Sequence, residues 1–108
     1  MSDYFKGKKL LVVGGTSGMG LETARIVLEN GGSVVLVGNR QAKAEEARQA
    51  LSSLGPVSII VADLMKEAGM KHVMAEINRD HRDISLLVNA AGVFFPKAFV
   101  ENEEADYD

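Results

Sequence analysis

The chain has 108 residues, 46% hydrophobic and 25% charged, which suits one soluble globular domain and leaves no room for a second. Twelve Lys and Arg against 15 Asp and Glu give a formal net charge of -3, so there is no basic excess and nucleic acid is not an expected partner. The lack of cysteine excludes disulfides, thiolate metal sites and cysteine nucleophiles. The apolar run Leu10 to Val13, preceded by Asp3, Lys6, Lys8 and Lys9, is too short for a signal-peptide core or a membrane span, so a cytoplasmic protein without membrane contact is expected.

Four short apolar runs rich in branched residues follow one another at intervals of roughly 23 to 27 residues: Leu10 to Val13, Ser33 to Val37, Val57 to Ala62 and Ile84 to Val88. They read as four buried parallel strands. Between them Leu21, Ala24, Val27 and Leu28 mark the face of one helix, ended by Gly31 and Gly32. Ala44, Ala47, Leu51 and Leu54 mark a second helix, stopped by Gly55 and Pro56, and Met70, Val73, Met74 and Ile77 mark a third. Strands linked by crossover helices imply an α/β fold: a parallel sheet covered by helices on both faces, with strand order 3-2-1-4. After Gly92 the periodicity fails. Val93, Phe94 and Phe95 precede Pro96, and residues 101 to 108 are mostly acidic, so a poorly ordered tail over 93–108 is expected on a single partial domain, 1–108.

The segment Val13-Gly14-Gly15-Thr16-Ser17-Gly18-Met19-Gly20 joins the first strand to the first helix. Glycines there permit a tight turn and a close backbone approach to a pyrophosphate, and the helix N-terminus offers free N–H groups to an anion. The order 3-2-1-4 sets this loop opposite Asn89-Ala90-Ala91-Gly92 across the point where strand order reverses, the expected place for a dinucleotide. The bland alternative is a strand-to-helix turn that binds nothing.

The Gly-x-x-x-Gly-x-Gly loop, the Asp63-Leu64 pair after the third strand and the Asn-Ala-Ala-Gly after the fourth appear in an order that resembles the short-chain dehydrogenase/reductase family. The resemblance runs from Lys8 to about Asp108 and implies a Rossmann-like sheet, truncated after its fourth strand to less than half of a typical member. It implies that the backbone N–H groups and hydroxyls around Thr16, Ser17 and Met19 meet the pyrophosphate, with Gly14, Gly18 and Gly20 permitting the approach, that Asp63 accepts a hydrogen bond from the adenine amino group and the Leu64 backbone reads the ring edge, and that Asn89, Ala90 and Gly92 run beside the ribose. Gly38-Asn39-Arg40 after the second strand carries no acid to bind the ribose 2′-hydroxyl of NAD, and Arg40 offers a planar fork to a 2′-phosphate, so NADP is preferred and NAD possible. Bland roles are a solvated helix-start arginine for Arg40 and an N-cap of the next turn for Asp63.

Three departures from the family pattern bear on function. Val13 replaces a threonine whose hydroxyl ties the glycine loop to the asparagine motif. Ala90 replaces the second asparagine of the commoner Asn-Asn-Ala-Gly. The serine and the Tyr-x-x-x-Lys pair that serve the carbonyl oxygen in the family lie beyond residue 108; the match at Tyr4 and Lys8 precedes the first strand and is read as chance. The expectation is an oxidoreductase cofactor-binding part, of a type that transfers hydride between NADP(H) and an alcohol or carbonyl, inactive by itself and with no catalytic residue assigned. The alternative is a non-catalytic nucleotide-binding or interaction module. An uncovered fourth strand and Phe94 and Phe95 suggest a homo-oligomer. His72 and His81 lack metal-ligand spacing and receive no role, and Met70 and Met74 suit a core stripe.

Overall fold

The computed structural model describes residues 4–14 and 18–90. The chain alternates β1 (Lys9–Val13), α1 (Gly18–Glu29), β2 (Ser33–Gly38), α2 (Gln41–Leu51), β3 (Val57–Val61), α3 (Glu67–Asp80) and β4 (Ile84–Asn89). All pairings are parallel and the sheet order is β3-β2-β1-β4, the Rossmann-like arrangement expected.

Strand alternation divides the core into two layers. Leu10, Val12, Val34 and Leu36 point to one face, where Ala24, Val27 and Leu28 of α1 and Ala47 and Leu51 of α2 cover them. Leu11, Val13, Val35, Val37 and Ile60 point to the other, where α3 contributes Val73 and Ile77. Burial of each such Leu or Ile stabilises the fold by about 1.5–3 kcal/mol relative to exposure. The expected helix stripes are those observed, with two differences. Met70 and Met74 are half-buried, and α2 ends at Leu51, leaving Leu54 in the following turn but still against the core. Nor are all four strands fully buried. β1 and β2 are enclosed, whereas β3 is largely and β4 wholly half-buried or exposed, because among the described residues each pairs on one side alone.

α1 closes with a Schellman pattern: Gly32 N–H donates to the Val27 carbonyl (3.0 Å) and Gly31 N–H to that of Leu28 (3.2 Å). The expected tail over 93–108, with Phe94 and Phe95, lies outside the described residues, as do Thr16, Ser17 and Gly92.

At the amino edge of the sheet, His81 has a partner that its sequence surroundings do not suggest. Lys9 Nζ at the start of β1 donates to His81 Nδ1 (3.2 Å) and pairs with Asp83 Oδ1 (3.0 Å), pinning the α3–β4 turn to the first strand where their pairing slips by one residue. The contact requires an unprotonated Nδ1. Partial burial first, then the Lys9 ammonium, hold His81 below its ordinary value, against the opposing pull of Asp80, Asp83 and Glu76. A histidine with a lowered folded-state pKa contributes stability that is complete above the ordinary value of 6.5 and is lost as pH falls below it. Urea midpoints are therefore expected to fall between about pH 7.5 and about pH 5.5, and His81→Gln to flatten that decline.

Candidate functional site

The carboxyl ends of the four strands emerge side by side, held in line by backbone bonds that continue the ladder past the strands. Gly14 N–H donates to the Val37 carbonyl (2.7 Å), Ala62 N–H to Gly38 (2.8 Å) and Ala90 N–H to Val13 (2.8 Å). The last of these joins the glycine segment to the asparagine segment through the main chain, so the two are tied together even though Val13 brings no hydroxyl. Strand order reverses between β1 and β4, and both Gly14 and Ala90 lie at that reversal.

Gly14 and Gly18 have φ of 80° and 64°, a region that side chains adopt only with strain. Gly14 follows β1 and Gly18 opens α1, whose first turn holds no acidic residue. A helix N-terminus carries a partial positive charge that suits an anion. Met19 is exposed at the mouth of the helix and Gly20 is buried.

Asn39 and Arg40 are exposed at the end of β2, and Arg40 occupies the N-cap position of α2 in an extended conformation without a side-chain capping bond. Arg25, Arg48 and Arg79 each bind a carboxylate within their own helix, Glu22, Glu45 and Glu76 respectively. Arg40 has no such partner among the described residues, which leaves its guanidinium available at the sheet edge.

Asp63 performs the turn role that is its bland reading. Its Oδ1 accepts the Met65 N–H (3.0 Å) and its carbonyl accepts the Lys66 N–H (3.1 Å). That role uses one carboxylate oxygen, and the side chain is exposed. Leu64 packs against the α3-side core, and Met65, 81% exposed, adds an apolar surface beside Asp63 that nothing in the sequence pattern singled out. Asn89 and Ala90 are exposed at the end of β4. The edge thus brings together Gly14, Gly18, Met19, Asn39, Arg40, Asp63, Asn89 and Ala90.

Tyr4 and Lys8 stand before β1, at the other edge, with the ammonium 5.4 Å from the ring centroid. No group of three or more His, Asp or Glu among the described residues is arranged to hold a metal ion. None of the described helices is long and apolar enough to cross a membrane. A separate cavity of about 330 Å³ lies between α1 and β4, lined by Phe5, Ile26, Val27, Leu86 and Val88 among others. Apart from Thr23, whose hydroxyl donates to the Met19 carbonyl (2.9 Å), its lining is apolar, and it holds no charged side chain to pair with a phosphate.

The model of the short chain dehydrogenase family matches residues 8–108. The chain belongs to the short-chain dehydrogenase family. It is 31% identical over 102 residues to a 3-oxoacyl-(acyl-carrier-protein) reductase of Chlamydia pneumoniae, covering 94% of this chain and 41% of that protein. It is 30% identical over 98 residues to an NADP-dependent (R)-specific alcohol dehydrogenase of Lentilactobacillus kefiri, covering 91% and 39%. Among solved structures it is similar to the RhlG/NADP active-site complex of Pseudomonas aeruginosa (TM-score 0.77, 32% identity, 86% of this chain and 38% of that one). It is similar also to an NADH-dependent reductase complexed with NAD (TM-score 0.69, 27% identity, 82% and 38%). This short-chain dehydrogenase sequence therefore spans about two fifths of the length of its curated relatives.

Proposed function

We propose that this chain is the dinucleotide-binding part of a short-chain dehydrogenase that prefers NADP, and that the activity it serves is hydride transfer between the nicotinamide and an alcohol or carbonyl. The observation that carries this reading is the carboxyl edge of the sheet, where Gly14 at the end of β1, Gly18 at the start of α1, an arginine with no ion-pair partner among the described residues and an exposed carboxylate lie at neighbouring strand ends. Gly14 to Gly20, with the Thr16 and Ser17 hydroxyls, would hold the pyrophosphate. Arg40, beside Asn39, would grip the 2′-phosphate. Asp63 and Leu64 would read the adenine, and Asn89, Ala90 and Gly92 would flank the ribose. The bound cofactor would supply the hydride. These 108 residues contain no Tyr-x-x-x-Lys at the carboxyl edge to serve the carbonyl oxygen, so they are expected to bind without turnover.

Titration of the purified chain with NADPH and NADH, read by nicotinamide fluorescence, tests the reading. Saturable binding with NADPH the tighter supports it, and equal or absent binding of both contradicts it. Assembly into a homo-oligomer in the cytoplasm belongs to the same proposal. β4 is an edge strand among the described residues, and its Leu86 and Val88 line the apolar cavity beside α1. Light scattering is expected to give a mass above 11.6 kDa that rises with concentration.

A further inference from the structure

The start of α3 is built unusually close to the turn that carries Asp63. Lys66, at the N-cap, makes no side-chain capping bond, so that helix start is held by main-chain contacts instead: Lys66 N–H on the Asp63 carbonyl and Met70 N–H on the Lys66 carbonyl. Gly69 sits in the first turn of the helix, directly over the Asp63 peptide. A Cβ placed on Gly69 would overlap the Asp63 carbonyl oxygen and come within 2.7 Å of its carbonyl carbon and 3.0 Å of its nitrogen. These are backbone atoms, which cannot swing aside as the tip of a side chain can. Any residue larger than glycine must therefore push the Asp63 peptide away from α3, and with it the carboxylate held by Met65 N–H.

From this contact we infer that Gly69 is a positioning residue for adenine recognition: by letting α3 rest on the Asp63 backbone, it sets where the Asp63 carboxylate stands at the sheet edge. The inference rests on the dinucleotide reading above and adds a residue with no ligand contact of its own. The backbone conformation of Gly69 is ordinary and helical, and alanine favours helix, so a purely local effect would make Gly69→Ala neutral or stabilising. Displacement of Asp63 has the opposite sign and is read in the ligand.

The test compares binding of adenosine 2′,5′-bisphosphate and of nicotinamide mononucleotide to the whole chain carrying Gly69→Ala, Asp63→Ala or both. Gly69→Ala is expected to weaken the bisphosphate about tenfold, the size of one hydrogen bond to a charged acceptor, and to leave the mononucleotide unchanged. In the Asp63→Ala background it is expected to cost nothing more, because the carboxylate it misplaces is already gone. An equal loss in both backgrounds, or no loss in either, overturns the inference. If Gly69→Ala does not fold, the wild-type Met65 and Lys66 amide resonances decide. They are expected to shift with the bisphosphate and not with the mononucleotide, and no shift with the bisphosphate overturns the inference. Failure of the wild-type chain to bind either NADPH or the bisphosphate overturns the dinucleotide reading itself, a result distinct from wild-type binding that Gly69→Ala leaves intact.

Discussion

Gly18→Val is expected to lower NADPH affinity by about thirtyfold, since a β-branched residue forced to positive φ stores on the order of 1–3 kcal/mol of strain and relieves it by reshaping the turn. The φ of 64° at Gly18 opens α1, and a Cβ there meets no atom of the described residues within 4 Å. The space it would fill is open and lies at the helix N-terminus, where the pyrophosphate is proposed to sit. Strain and obstruction therefore act together on the ligand, while the packed layers beneath, Val12, Ala24 and Leu36 among them, are untouched. Isothermal calorimetry with NADPH, beside a urea melt of the same variant, separates the two effects. A large loss of affinity with a small change in the melt is the expected pattern. Retained affinity would place the phosphates elsewhere.

Arg40→Ala carries the second large effect. A guanidinium fork on a phosphate contributes about 1.5–3 kcal/mol where water is excluded and less at an exposed edge, so NADPH binding is expected to weaken about tenfold and NADH binding to stay as it was. Arg40→Lys should recover part of the loss, because the ammonium keeps the charge and forfeits the planar pair of donors. Arg40→Asp should reverse the preference by repelling the 2′-phosphate and offering an acceptor to a 2′-hydroxyl. Parallel titrations with both nucleotides check all three. Equal losses for NADPH and NADH in Arg40→Ala would move the 2′-phosphate away from the end of β2.

The strands and their order were legible in the sequence because each is a short branched-apolar run, and the spacing between runs leaves room for one crossover helix each. Leu36 and Val35 could be assigned to opposite layers by alternation alone, and Val73 and Ile77 to one face of α3 by their separation of four. The reach of α2 was less legible. Leu54 keeps the helical spacing, yet Ser52 ends the helix with its N–H on the Arg48 carbonyl, and Leu54 reaches the core from a turn. The strand-end residues of the site were legible as motifs in the right order. Their mutual support was not, since the Ala90-to-Val13 bond is a main-chain contact that no side chain announces.

The Lys9, His81 and Asp83 group joins residues 72 and 74 apart in sequence, beside the slip in β1–β4 pairing, so no local pattern could reveal it. Gly69 belongs to no motif of the sequence. Its meaning comes from the Asp63 peptide packed against it.

If the carboxyl edge of the sheet is the dinucleotide site, NADPH must perturb that edge and spare the opposite one. Amide chemical-shift mapping of the 108-residue chain with NADPH distinguishes the two. Shifts are expected to cluster at Gly14, Gly18, Met19, Arg40, Asp63, Leu64 and Ala90, with Lys9, Ser33 and Asp83 at the opposite edge unmoved. Shifts centred on Lys9 and Asp83, or on Ile26 and Leu86 around the apolar cavity, would contradict it.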